Sequence, residues 1–202
     1  MPLQLKHKLC FIHIPKAAGT TIEKALSISR EEELFFLDKY KNYPVCPQHL
    51  TLAEIAQETD NLMDYSIFTV VRNPYDRLVS EFHHYTDNWF ARKYHGLDFD
   101  QFVEVCLALP EQIRRYSFDG HLELQTSYIK APFPVKIFRY EQLHKCFDWL
   151  KEKTGEELNF GHERKSVERR DFSSYYQNLD TLTRVNDFYQ KDFIFLDYPR
   201  MA

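Results

Sequence analysis

Glycine is scarce in this sequence, 5 residues in 202 against a usual share of about 7%, so the position of each one is informative. Cysteine is sparse too. Cys10, Cys46, Cys106 and Cys146 lie far apart and form no CxxC pair, which excludes a zinc knuckle or a redox dithiol and predicts reduced thiols in a cytoplasm-like compartment. No stretch approaches the ~18 to 20 consecutive apolar residues that a membrane helix needs. The mostly apolar run between Lys8 and Pro15 is too short for the core of a signal peptide. An excess of positive charge is also missing: 26 Lys and Arg face 30 Asp and Glu, a formal net charge of −4. That argues against a surface that coats nucleic acid, and an anionic ligand must be held by a local site. Repeats, low-complexity tracts and Pro/Gly/Ser-rich linkers are absent, which predicts one domain over residues 1–202. What the chain has in quantity is apolar side chains, 44%, with aromatics at 16%. A chain of this length buries roughly 70% of its unfolded surface and needs no covalent staples.

Strand signals alternate with helix signals. Leu9 to Ile14 is short, apolar and β-prone, stops at Pro15, and gives way after Gly19 to a helical pattern with Ile22, Ala25 and Leu26 on one face. Tyr65 to Val71 reads as a strand buried on both faces. It ends at Arg72, and Asn73-Pro74 then supplies an N-cap and a first-turn proline. The helix so opened carries Leu78, Val79, Phe82 and Tyr85 at helical spacing to about Tyr94. Asp98 caps a further helix that Pro110 ends. Val135 to Tyr140 is a third strand, followed by an amphipathic stretch from Glu141 to Thr154 with Gly155 at its stop. Asn178 to Asp192 reads as one last helix, and Glu163 to Asp171 as a charged loop. Strand followed by helix, three times, implies an α/β fold with a mainly parallel sheet covered by helices.

In such a sheet ligands bind beyond the carboxyl ends of the strands, and two of those ends carry cations. Pro15-Lys16-Ala17-Ala18-Gly19-Thr20-Thr21 combines small residues, which let an anion approach the backbone, with the start of a helix and one ammonium group. It is not a Walker A loop, since Lys16 precedes Gly19 instead of following it. Taken alone it could also be an ordinary turn with an exposed lysine. Arg72 ends the second strand and Ser80 lies about two turns into the next helix, a guanidinium fork and a hydroxyl suited to one phosphate. Arg72 could instead pair with a carboxylate, and Ser80 could face solvent.

Together the stretches FIHIPKAAGTT (Phe11 to Thr21) and VVRNPYDRLVSEF (Val70 to Phe82) resemble the two nucleotide-binding motifs of the sulfotransferases that use PAPS (3′-phosphoadenosine 5′-phosphosulfate). The resemblance is to the branch of carbohydrate O-sulfotransferases of the heparan 2-O and related types. It continues in order through Gln125 to Ile129, Ile137 to Leu143, Tyr175-Tyr176, Asp192-Phe193 and Asp197-Tyr198, so it covers nearly the whole chain. It implies a P-loop-like three-layer sandwich with a central, mainly parallel sheet flanked by helices. It also implies that Lys16, Ala17, Ala18, Gly19, Thr20 and Thr21 hold the 5′-phosphosulfate, with Lys16 at the oxygen bridging phosphorus and sulfur, and that Arg72 and Ser80 hold the 3′-phosphate. Lys165, Ser166 and Arg170 fall in a segment that closes over the nucleotide in this family, and each could equally be solvated surface.

Transfer to a hydroxyl calls for a base, and imidazole titrates near pH ~6.5. His49, in Pro47-Gln48-His49-Leu50-Thr51, lies where related enzymes place a catalytic histidine. His121 is the second candidate, His13 reads as a core histidine, and of His83 and His84 one is expected to face the cleft. In-line attack with His49 as base and Lys16 stabilising the departing PAP calls for no metal. Two other readings stay open. A P-loop kinase would need an Asp for Mg²⁺ at the end of a buried strand, where this chain has Arg72; a non-catalytic PAP-binding protein would need no base. The membrane anchor and stem of the Golgi relatives are not seen, so a compact, soluble, cytoplasmic member is expected, acting on a sugar or a small metabolite alcohol. Trp89, Phe90, Arg92 and Lys93 are candidates for lining the acceptor cleft, or for simple helix packing.

Overall fold

The computed structural model describes residues 3–28, 43–86, 94–161 and 171–202. The chain forms two compact units, Met1–Arg72 with Ser127–Arg164, and Asn73–Thr126 with Lys165–Ala202.

The first unit contains a four-stranded sheet in the order β1 (Leu3–Gln4), β2 (Leu9–Ile12), β3 (Ser66–Val71), β4 (Lys136–Arg139). Three strands follow the sequence pattern, each slightly shorter than its apolar run, and they are mutually parallel, with Phe11 opposite Phe68 and Val71 opposite Arg139. The short β1 was not foreseen. It lies antiparallel to β2, and two residues offer no alternation to read. β2 is buried along its whole length, and β3 is buried at all but its first residue, as strands covered on both faces must be. Phe68 packs against Phe11 and Trp149, with ring centroids 5.1 Å apart in each case.

Helices α1 (Gly19–Ala25), α2 (Leu52–Glu58) and α7 (Leu143–Thr154) belong to this unit. α2 starts at a capping box: the Glu54 backbone N–H donates to Thr51 Oγ1, and the Thr51 backbone N–H donates to Glu54 Oε2 at 2.7 Å. α7 ends at Gly155, whose φ of +67° is the left-handed stop that favours glycine.

In the described part of the second unit the regular elements are helices. It holds α3 (Pro74–Thr86), α4 (Phe99–Leu107), α5 (Glu111–Ser117), the start of α6 (Gln125–Ile129), α8 (Leu179–Phe188) and α9 (Gln190–Phe195). α3 begins as read, with Asn73 Oδ1 accepting from the Tyr75 N–H at 3.0 Å and Pro74 in its first turn. Asp98 caps α4 in a box with Gln101. The expected single C-terminal helix is two, because the chain turns at Tyr189. That side chain is fully buried, and its hydroxyl donates to the Leu122 carbonyl at 3.0 Å. Asp192 on α9 is buried and caps α6, accepting from the N–H groups of Gln125 and Thr126 at 2.8 and 2.9 Å. Two stretches of the family pattern that lie far apart in the chain are thereby joined.

Candidate active site at the carboxyl ends of the parallel strands

In the first unit the segments that leave β2, β3 and β4 carry the polar side chains. The turn after β2 is strained: Lys16 and Ala18 have φ of 63° and 68°, left-handed values that cost a residue with a Cβ about 1 kcal/mol or more each. Ala17 is buried, while Lys16, Ala18, Thr20 and Thr21 are half-buried. Ala18 stands at the N-cap of α1 and has no side chain to cap it. Gly19 is required by close approach. A Cβ there would lie 2.1 Å from His13 Nε2, so no larger residue fits while that ring stays in place.

Arg72, at the end of β3, donates from Nη1 to the Lys16 carbonyl at 3.0 Å, and its guanidinium lies 4.2 Å from the centre of the Tyr140 ring. The segments that leave the three parallel strands thus meet at one cation. In the sequence Tyr140 closes the third apolar run and lies in the family-like stretch Ile137 to Leu143, with no role of its own assigned.

His49 lies in a single 3-10 turn, Pro47–His49, and is buried. Its Nδ1 is 3.5 Å from Cys46 Sγ, and its ring meets that of His13 edge to face with centroids 5.1 Å apart. His13 was read as a core histidine, and it is buried, but beside a carboxylate. Its Nδ1 lies 2.6 Å from Glu23 Oε1 on α1, and Gln48 Nε2 donates to Glu23 Oε2 at 2.7 Å. Neither Glu23 nor Gln48 was singled out from the sequence. The available signal for Glu23 was a carboxylate beside the apolar stripe of Ile22 and Leu26.

The remaining candidates belong to the second unit. Ser80 is buried on α3. His121 Nδ1 lies 2.9 Å from Glu81 Oε2, and its ring stacks on His84 at 5.2 Å. His83 Nε2 lies 2.7 Å from the Tyr175 hydroxyl. Arg77, buried, donates to the carbonyls of His121 and Glu123 at 2.8 and 2.6 Å. Lys165, Ser166 and Arg170, like Trp89, Phe90, Arg92 and Lys93, lie outside the described residues.

A family model described as "Sulfotransferase family" matches residues 3–199. The chain belongs to the sulfotransferase family. Sulfuryl transfer is thereby favoured over the kinase alternative. Comparisons with curated proteins and with solved structures find no match. This sulfotransferase has an α/β fold with a mostly parallel sheet, and sheets of that kind bind ligands beyond the carboxyl ends of their strands. No described helix is long and apolar enough to cross a membrane.

Proposed function

We propose that this sulfotransferase uses PAPS as donor and moves its sulfuryl group to a hydroxyl of a sugar or a small metabolite alcohol, releasing PAP. The observation that carries the reading is the 3.0 Å bond from Arg72 to the Lys16 carbonyl. It joins the two motifs assigned to phosphate groups at neighbouring strand ends. The donor chemistry of the turn fits a polyanion: residues 15–21 offer an ammonium, two hydroxyls and backbone N–H groups, with no carboxylate.

Lys16 to Thr21 hold the phosphosulfate, and Arg72 takes the 3′-phosphate. Ser80 keeps the same assignment on its sequence spacing from Arg72. Lys165, Ser166 and Arg170 keep the closing role that the family pattern gives them. His49 accepts the proton of the attacking hydroxyl as the new oxygen–sulfur bond forms and the bridging oxygen–sulfur bond breaks. Lys16 meets the negative charge that grows on the bridging oxygen. The family match spans both compact units, which supports one sulfotransferase domain over residues 1–202. Reduced cysteines support a cytoplasmic location.

Calorimetry with PAP, and with adenosine 5′-phosphosulfate as a ligand lacking the 3′-phosphate, tests the donor. Arg72→Ala should weaken PAP far more than the second ligand, and equal losses remove Arg72 from this role. His49→Ala should leave PAP affinity nearly unchanged and cut turnover by roughly 10² to 10⁴. Retained turnover in that variant together with its loss in His121→Ala would move the base to His121. PAP binding by a wild-type protein that releases no PAP from PAPS with any hydroxyl acceptor would support the non-catalytic reading.

A further inference from the structure

Glu23 lies on α1 beside the buried Ile22 and Leu26, and it is 0% exposed. A carboxylate in that position costs several kcal/mol unless it is fully hydrogen-bonded, and apolar side chains of similar volume often stabilise a core as well or better. Its two oxygens are engaged by partners from different segments. Oε1 lies 2.6 Å from His13 Nδ1, and Oε2 accepts from Gln48 Nε2 at 2.7 Å. In its ionised form the carboxylate can only accept, and His13 then donates through Nδ1; the amide of Gln48 is held with its nitrogen toward α1.

Both partners touch the machinery proposed above. The His13 ring is packed on Gly19 of the Lys16 turn so closely that a Cβ would fall 2.1 Å from Nε2. The same ring meets the His49 ring edge to face, at 5.1 Å between centroids and 87° between planes. Gln48 is the residue before His49 in its turn. One buried carboxylate therefore fixes the ring that supports the donor turn and also the turn that carries the base.

We propose that Glu23 is a positioning residue for sulfuryl transfer, orienting His49 through Gln48 and through the His13 ring and holding both at a fixed distance from the Lys16 turn. This rests on the reading of His49 as the base. Misplacement of a reacting group by about 1 Å costs on the order of 10²-fold in rate, which is why a residue that touches neither donor nor acceptor can matter to the reaction.

Two substitutions divide the network. Glu23→Gln keeps the side-chain volume but turns an amide nitrogen toward one of the two donors. Gln48→Leu leaves the His13 to Glu23 pair intact and cuts only the arm to the His49 turn, so it carries the test should Glu23→Gln not fold. Long-range proton–nitrogen NMR of the histidine rings in the full chain should show the His49 ring resonances moving in both variants, and the His13 Nδ1 resonance, which reports its bond to Glu23, moving much further in Glu23→Gln than in Gln48→Leu. Unmoved His49 resonances in both variants overturn the proposal whatever the activity.

With PAPS and water as acceptor, PAP release should fall about tenfold or more in each variant while PAP affinity stays within about twofold. In the His49→Ala background the same substitutions should cause no further loss. The exchanged pair Glu23→Gln with Gln48→Glu restores a donor opposite an acceptor and should recover most of the rate. Losses of equal size with and without His49, or PAP affinity falling in step with turnover, would leave Glu23 a structural residue only. Full turnover in His49→Ala alone would instead overturn the assignment of the base.

Discussion

At the scale of single residues, Gly19 and His13 constrain each other closely. The ring cannot retreat freely, because Nδ1 is held by Glu23 at 2.6 Å, and the added methyl of Gly19→Ala would fall 2.1 Å from Nε2, well inside van der Waals contact distance. Overpacking of this kind costs about 1 to 3 kcal/mol. Urea unfolding should show that loss in Gly19→Ala and a much smaller one when the same change is made in His13→Ala, where the clash is gone. Equal costs in the two backgrounds would mean that Gly19 is there for a reason other than the ring. The same pair shows the limit of reading residues one at a time. Glycine in the turn was legible as a place of close approach, but the partner that approaches it was not.

Among the elements, α2 is the one whose start bears on the site, since only Leu50 and the capping Thr51 separate it from the His49 turn. Its capping box satisfies the Glu54 and Thr51 backbone N–H groups reciprocally. Thr51→Ala should cost about 1 kcal/mol, read by chemical denaturation, whereas Thr51→Ser should cost little. A loss well under that in Thr51→Ala would show that packing of Leu52 and Ile55, both buried, fixes the helix start without help from the cap. Helix starts were the best-read features of the chain, as Asn73-Pro74 and Asp98 show, because caps act within four residues. Strand ends and the break at Tyr189 were read less well. A hydroxyl bonded to a carbonyl 67 positions away leaves no local trace.

On the scale of the whole molecule, burial of ionisable groups sets an alkaline limit to stability. Burial pushes the thiols of Cys10 and Cys146 in the first unit up to about 12 from an ordinary 9.0, and burial likewise raises the phenols of Tyr176 and Tyr189 in the second. The unfolded chain gives up these protons first. The contribution of the two thiols is therefore complete below pH 9 and is lost between pH 9 and about 12, at roughly 1.4 kcal/mol per pH unit for each. Urea unfolding followed from pH 8 to 11 should show this decline, and Cys146→Ala should make it shallower; an unchanged slope in that variant would remove Cys146 from the account. PAP at a hundredfold excess over its Kd should raise stability by roughly 2.7 kcal/mol at neutral pH, and no shift at millimolar PAP would count against the donor assignment.

The sequence by itself determined the repeated strand-then-helix order, the helix caps, the cationic strand ends at Lys16 and Arg72, and membership of the sulfotransferase family, because each of these is written in residues that are neighbours along the chain. Only the tertiary structure decided that Arg72 grips the carbonyl of Lys16, 56 residues away, and that Glu23 holds His13 and Gln48, 10 and 25 residues away. The physical reason is that apolar periodicity and capping record the burial and backbone bonding of one element at a time. A side-chain hydrogen bond between elements exists only once parallel strands have brought their carboxyl ends to the same edge of the sheet.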